Sequence, residues 1–341
     1  MTALTPHGQP ARFEPGLREV APGVHAYLTP NGSWSESNAG LVVSGDHALL
    51  IDTQWDAHLT LRLLQAVHAA APHAPITTLV NTHADGDHIF GNALVGAPEV
   101  VMTERAARDA LHETPGSLVA FQRLTRALRG VPLPRSAART RDFVADVLAP
   151  FDFTGVRPAA PTRTFTGSLD LLVGSRRVRV EEYGHAHTSS DSVVTVPDAG
   201  VVFAGDLLFV GVTPVMWAGP ITTWRAHLAR LLALDADVYV PGHGPVCGKE
   251  EVRLLDAYFD LLGRAGGALL ARGLPPHEAA RAFLDSGEFR ASPFAAWDNP
   301  ERVYINLLTM SRAGGRAETP VKPLDRALAF HHMAQLAARG S

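Results

Sequence analysis

The chain has 341 residues, more than most single domains, yet 46% of them are hydrophobic and can bury one large α/β core with appendages. Its formal net charge of −4, with no Lys/Arg run, argues against phosphate-backbone binding, so no nucleic-acid partner is expected. Cys247 is the only cysteine, which excludes an intrachain disulfide, and no apolar run is long enough for a bilayer span, so no membrane partner is expected.

Residues 1–18 carry Pro, Gly and scattered charge without periodicity and read as an N-terminal arm. They show no basic stretch followed by an apolar one, so a cytoplasmic location is the expectation. Short strands are predicted at Val24–Leu28, Leu41–Ser44 and Ala48–Asp52, with Gly45-Asp46 as a hairpin turn. Trp34 sits in the Ser- and Gly-rich loop between the first two, either facing a substrate or packed on the domain surface. Asp56–Ala71 has helical spacing, and the apolar run Ile76–Val80 reads as the next strand.

That strand delivers the stretch NTHADGDHIFGN, which puts His83, Asp85, Asp87 and His88 within six positions. Imidazole nitrogens and carboxylate oxygens are ligands for zinc and its first-row neighbours. If strand geometry persists, His83 and Asp85 point one way, while Asp87 and His88 open the next helix and turn to another side. Such an arrangement can serve two adjacent cations.

A strand at Glu99–Met102 and a helix at Glu104–His112 follow, then helical runs Leu118–Leu128 and Thr140–Leu148 that read as a two-helix insertion over about 114–161. The insertion either caps a site or packs on the surface. After β-like runs at 163–166, 170–173 and 176–182 comes HAHTSSD, with His187 and, two positions earlier, His185 as a second candidate imidazole. Asp191 is expected to orient a ligand or stabilise the turn. Asp206, in FAGDLLF, is placed at the carboxyl end of a strand, where a carboxylate can bridge two cations. Leu207–Pro220, with Trp217, is a candidate substrate wall. His243 stands in PGHGPV after a final short strand at 238–240. Cys247 is either near that site or a small buried thiol. Beyond Lys249 the pattern is mostly helical, and Phe294, Trp297 and Tyr304 are read as core, pocket lining or a homodimer contact.

These motifs, in this order, resemble the metallo-β-lactamase superfamily, whose ligands run H-x-H-x-D-H, then His, Asp and His. The resemblance covers about residues 20–250 and implies a four-layer αββα sandwich, class α/β, over residues 19–248, with a helical C-terminal extension over 249–341 packed on the core. It implies metal ligation by His83, Asp87, His88, His187, Asp206 and His243, with Asp85 where the family usually has a second His. One site is expected from His83, Asp85 and His187, a second from Asp87, His88 and His243, with Asp206 between them. One or two Zn2+ per chain are expected; the carboxylate of Asp85 also suits Mn or Fe. The implied activity is hydrolysis of an ester, thioester, lactone or amide by a metal-activated water, with Asp87 as the catalytic proton carrier. An iron-dependent oxidoreductase of the same fold, or a metal-binding protein without turnover, are the other readings. A small molecule is the expected partner, and few Lys or Arg residues near the motifs point to a neutral substrate.

Overall fold

The computed structural model describes residues 3–31, 34, 36–312 and 323–338. Strands β1 (Gly16–Ala21), β2 (Val24–Leu28), β3 (Ala39–Ser44), β4 (His47–Ile51), β5 (Ile76–Val80), β6 (Glu99–Thr103) and β7 (Arg163–Phe165) form one sheet in chain order. A second sheet, ordered β12-β11-β10-β9-β8, contains β8 (Ser168–Val173), β9 (Arg176–Gly184), β10 (Asp191–Val196), β11 (Val201–Phe209) and β12 (Val238–His243). β1 begins inside the stretch expected to be a loose arm; as an edge strand with both faces part-exposed, it lacks the alternation that marks a half-buried strand.

The strand sequences dictate the layering. In β4, Leu49 and Ile51 point towards the second sheet, meeting Val180, Val194 and Phe203, while Ala48 and Leu50 face the helix α1 (Ala57–Ala70) through Leu63 and Val67. A strand buried on both faces reads as a continuous apolar run. Asp56 starts α1 by accepting a hydrogen bond from Leu59 N at 2.7 Å, a cap whose loss costs roughly 1 kcal/mol. Burying Leu63 completely contributes about 1.5–3 kcal/mol. On the far side, Val202 and Ala204 of β11 pack with Trp224, Leu228 and Leu231 of α7 (Ile221–Leu232). Helix, sheet, sheet, helix is the αββα sandwich.

Parallel pairing of β4 with β5, β5 with β6 and β11 with β12 directs the carboxyl ends of these strands to one edge. There β5 leads into α2 (Gly86–Ile89) and α3 (Asn92–Val95). After β6 come α4 (Glu104–Ala110) and the insertion, α5 (Pro115–Ala127) and α6 (Arg135–Leu148). The C-terminal extension adds α8 (Lys249–Leu261), α9 (Gly267–Ala271), α10 (Pro276–Asp285), α11 (Gly287–Arg290), α12 (Val303–Ser311) and α13 (Pro323–Ala337). A π turn at Leu262–Gly266 joins α8 to α9. α13 clamps the insertion: His331 Nδ1 lies 2.8 Å from Thr140 Oγ1, and Gln335 donates to Ser136 O. Among the described residues no helix is long and apolar enough to cross a membrane.

Candidate metal centre

Each ligand candidate is fixed by local structure. His83 and Asp85 lie on the loop leaving β5, Asp87 and His88 in α2, His187 between β9 and β10, and His243 at the end of β12. Asp206 lies inside β11 and not at its end as expected, because β11 continues to Phe209 and pairs there with His243 of β12. The six residues His83, Asp87, His88, His187, Asp206 and His243 are all buried.

The nitrogen and oxygen atoms form two groups. His83, His187 and Asp206 offer one set of ligand atoms lying within 4.8 Å of one another; Asp87, His88 and His243 offer another. Asp206 joins them: its Oδ2 is 3.3 Å from His187 Nε2 and 3.2 Å from His243 Nε2, and its Oδ1 is 3.2 Å from His88 Nε2. Asp85 Oδ2 lies 3.1 Å from the same His187 Nε2, so the aspartate that departs from the family pattern does face the first group.

All four imidazoles turn Nε2 inwards because Nδ1 is engaged outside. His187 Nδ1 donates to Val215 O at 2.6 Å, and His243 Nδ1 to Glu36 O at 3.1 Å. His88 Nδ1 donates to Asp52 Oδ2 at 2.9 Å. Thr82 Oγ1 gives its proton to Asp52 Oδ2 at 2.7 Å and so accepts from His83 Nδ1 at 3.0 Å. Such outer partners fix the tautomer and aim of metal-ligating histidines. Three of the inner atoms make no such bonds: His83 Nε2, His88 Nε2 and Asp206 Oδ1 are buried without a hydrogen-bond partner. Buried polar atoms are normally satisfied, and a mixed imidazole–carboxylate set with its donors converging on one space fits a divalent cation.

The protein's own charges shape the same space. Burial opposes a charge on His187, but Asp206 and Asp85 raise it to about 10; burial together with His88 pushes His83 down to about 3. His88 is likewise held well above its ordinary value against burial by Asp206, Asp87 and Asp52. Metal ligation requires neutral imidazole nitrogens, so a cation held here would act against the upward shifts of His88 and His187. Asp191 is a turn residue: burial pushes it up to about 6, and it accepts from Thr188 N and Oγ1 in the loop that carries His187.

The cluster floors an open cleft. Its walls include Trp34, Trp55, Leu118, Phe121, Trp217 and Phe330, so Trp217 does form a wall and the insertion supplies another through α5. Trp34 is nearly buried, lying under the Arg302 guanidinium and against Phe330. Contrary to the expectation of a mouth poor in cations, Arg302 and Arg326 both line the cleft, each brought back from the C-terminal extension. His185 turns to Arg105 at 3.2 Å and is not among the grouped ligand atoms. Cys247 pairs its backbone with Tyr239, burial pushes its thiol up, and it is not among the grouped ligand atoms. Phe294 and Trp297 pack around Tyr258, and Tyr304 against His332; none lines the cleft. Asp52, Thr82, Glu113, Arg302 and Arg326 escaped sequence reasoning. Of these only Asp52, a carboxylate closing an apolar strand run, carried a local signal.

Comparison with known proteins matches residues 32–243 to a family model described as the metallo-beta-lactamase superfamily. The 2,4-dinitroanisole O-demethylase subunit alpha of Nocardioides sp. (strain JS1661) is 25% identical over 211 residues, covering 60% of this chain and 51% of that protein. The linear primary-alkylsulfatase of Pseudomonas sp. (strain ATCC 19151) is 32% identical over 197 residues, covering 52% of this chain and 36% of that protein. The chain therefore spans about half, or less, of the length of these curated relatives. Among solved structures, a metallo-beta-lactamase from Pontibacter korlensis superposes with TM-score 0.53 at 19% identity, covering 72% of this chain and 99% of that one. The metallo-beta-lactamase FIM-1 from Pseudomonas aeruginosa in its mono-zinc form gives TM-score 0.51 at 19% identity, covering 74% of this chain and 97% of that one. At that identity the two structures speak for the fold alone.

Proposed function

The chain belongs to the metallo-beta-lactamase superfamily, and from that premise we propose that it is a metal-dependent hydrolase of small molecules, cleaving an ester-type bond, with thioesters, lactones and amides as the neighbouring classes. The observation that carries the reading is the convergence of four inward Nε2 atoms and the Asp206 carboxylate at the floor of an apolar cleft. Members of this superfamily are often hydrolases, and the relatives' names, an alkylsulfatase and an O-demethylase, both refer to a bond at an ester or ether oxygen.

We assign His83, Asp85, His187 and Asp206 to one cation and Asp87, His88, His243 and Asp206 to the other, zinc being the leading candidate and Mn or Fe the alternatives. Cations there act as Lewis acids and lower the pKa of water bound to them. Asp87 lines the cleft with its Oδ2 3.5 Å from His243 Nε2, and burial holds its carboxyl above the ordinary value. That position suits it to accept the proton of an attacking water and return it to the leaving group. Trp34, Trp55 and Trp217 exclude bulk water from the floor and hold the apolar part of a substrate. The donated Nδ1–H groups keep the four imidazoles from rotating as charge moves.

The test combines elemental analysis for Zn, Mn and Fe with turnover of a panel of carboxylic esters, thioesters, lactones, amides and alkyl sulfates. Asp87→Asn should fold and hold metal yet lose about 10²-fold or more in rate. A protein that takes up none of the three metals sinks the reading. So does an Asp87→Asn variant that turns over at the parent rate. Oxygen consumption without hydrolysis would favour the oxidoreductase.

A further inference from the structure

Arg326 comes from α13, beyond residue 243 where the family match ends, and reaches a cleft whose floor the family motifs build. Its Nη2 is 2.8 Å from Glu113 Oε1, and its Nη1 is 3.5 Å from Oε2. Glu113 stands at the root of the insertion. The side chains are only 27% and 14% exposed, and the pair lines the cleft beside Asp85 and Asp87.

Taking two charges out of water costs several kcal/mol per ion, and an apolar pair of similar volume would hold α13 to the insertion at least as well. The wall around the pair is apolar: Leu118, Phe121, Val147 and Phe330. A charged fork therefore stands where packing alone would favour hydrocarbon. Guanidinium carries five N–H donors in a rigid plane, a shape that matches two oxygens of a carboxylate or sulfate. Both bonds to Glu113 use the Nη atoms, which leaves further donors of the fork for a ligand in the cleft.

The charge balance of the floor points the same way. Asp85, Asp87 and Asp206 carry three negative charges, one more than the family pattern with His at position 85. Two divalent cations would leave that floor one positive charge in excess. An anionic group approaching it gains from guanidinium N–H donors at the wall, and Arg326 lines the same cleft as Asp85 and Asp87.

We propose that Arg326, held in place by Glu113, is an anion subsite, and that the cleft takes amphiphiles. Their oxyanion head, a sulfate, sulfonate or carboxylate, lies between the metal floor and Arg326, and their hydrocarbon part lies along Trp34, Trp55, Phe121 and Phe330. This replaces the neutral substrate expected from sequence and rests on the reading of the cleft as a hydrolase site.

The test is calorimetric titration of the metal-loaded protein with 1-octanesulfonate and with 1-octanol, for wild type, Arg326→Met, Arg326→Lys and Glu113→Gln. Wild type should bind the sulfonate at least about tenfold tighter than the alcohol, the scale of charge-assisted hydrogen bonds. Arg326→Met should lower sulfonate affinity about tenfold and leave octanol unchanged, with Arg326→Lys between them. Glu113→Gln should keep the preference, because the Gln oxygen still accepts from the Arg326 guanidinium. A wild type without the preference, or an Arg326→Met protein with the same sulfonate-to-octanol ratio, overturns the proposal. So does an equal loss of both ligands and of Tm in Arg326→Met and Glu113→Gln, the signature of a purely structural pair. Octanesulfonate is not hydrolysed, so the ratio is read even in a protein that turns over no ester. Failure of the hydrolase reading shows separately, as missing metal or missing turnover.

Discussion

Asp52 is the residue on which the two halves of the metal floor converge, and its removal gives a quantitative test of the site. Its Oδ1 accepts from Thr82 N at 2.8 Å. Its Oδ2 accepts from both Thr82 Oγ1 and His88 Nδ1, and Thr82 Oγ1 passes the constraint to His83 Nδ1. One carboxylate thus aims an imidazole in each group. Asp52 also has φ 59°, a left-handed conformation that Asn tolerates better than most residues, so Asp52→Asn is the mildest probe. The amide keeps one acceptor oxygen, so at least one of the three buried donors loses its partner and the others lose the anionic one. Hydrogen bonds to charged groups contribute about 1.5–3 kcal/mol each, so a stability loss of roughly 2–4 kcal/mol is expected. Loss of an outer partner typically lowers metal affinity about 10- to 100-fold. Chelator competition with zinc, read beside thermal unfolding, measures both. Asp52→Asn should weaken both binding steps, whereas Thr82→Val, which cuts only the relay to His83, should weaken one. A folded Asp52→Asn protein whose two zinc affinities match the parent's would refute the reasoning.

The motifs were legible because metal ligation needs particular atoms, and a six-position cluster such as His83 to His88 has few other uses. The fold was legible for a related reason: β5 was read at its observed bounds, since Ile76–Val80 runs into that cluster and its apolar residues have only one role. What escaped depends on long-range approach. Nothing around Arg326 in the sequence announces a return to a site whose ligands, His83 to His243, all lie far upstream, and Glu113 lies in a stretch that reads as a helix end. The placement of Asp206 at a strand terminus failed because Gly205, at φ 51°, looks like a stop, yet β11 runs through it with an irregular register against β12. Asp52 was taken as the last residue of a strand, and only its partners reveal it as a support for His83 and His88.

Gly242→Ala should fold but bind metal weakly, because a Cβ there would overlap Asp206 Oδ1 and abut the Gly205 backbone; unchanged metal stoichiometry and affinity would remove the reason given for that glycine. Burial, helped by Arg230, pushes His227 down to about 4, and its buried Nδ1 has no partner to receive a proton. The folded value lies below the unfolded 6.5, so this contribution is fully present above about pH 6.5 and is lost as pH falls towards 4, by up to roughly 2–3 kcal/mol. Urea unfolding between pH 7 and 4.5 should therefore show a shallower decline in His227→Gln than in the parent, and equal slopes would contradict the assignment. Asp85→His concerns metal choice. With Asp85 Oδ2 at His187 Nε2, the first group offers two imidazoles, its own carboxylate and the shared Asp206, which matches the composition of the second group. Oxygen donors favour harder cations, so the parent should accept Mn relative to Zn more readily than a site with a third imidazole. Replacing Asp85 by His breaks the match at the first group alone, and the ratio of Zn to Mn affinity should rise there while the second step stays as it was. Competition titrations of both metals against both proteins read the two steps apart. A ratio that does not move, with both steps still observed, means that Asp85 holds His187 in place without touching the cation.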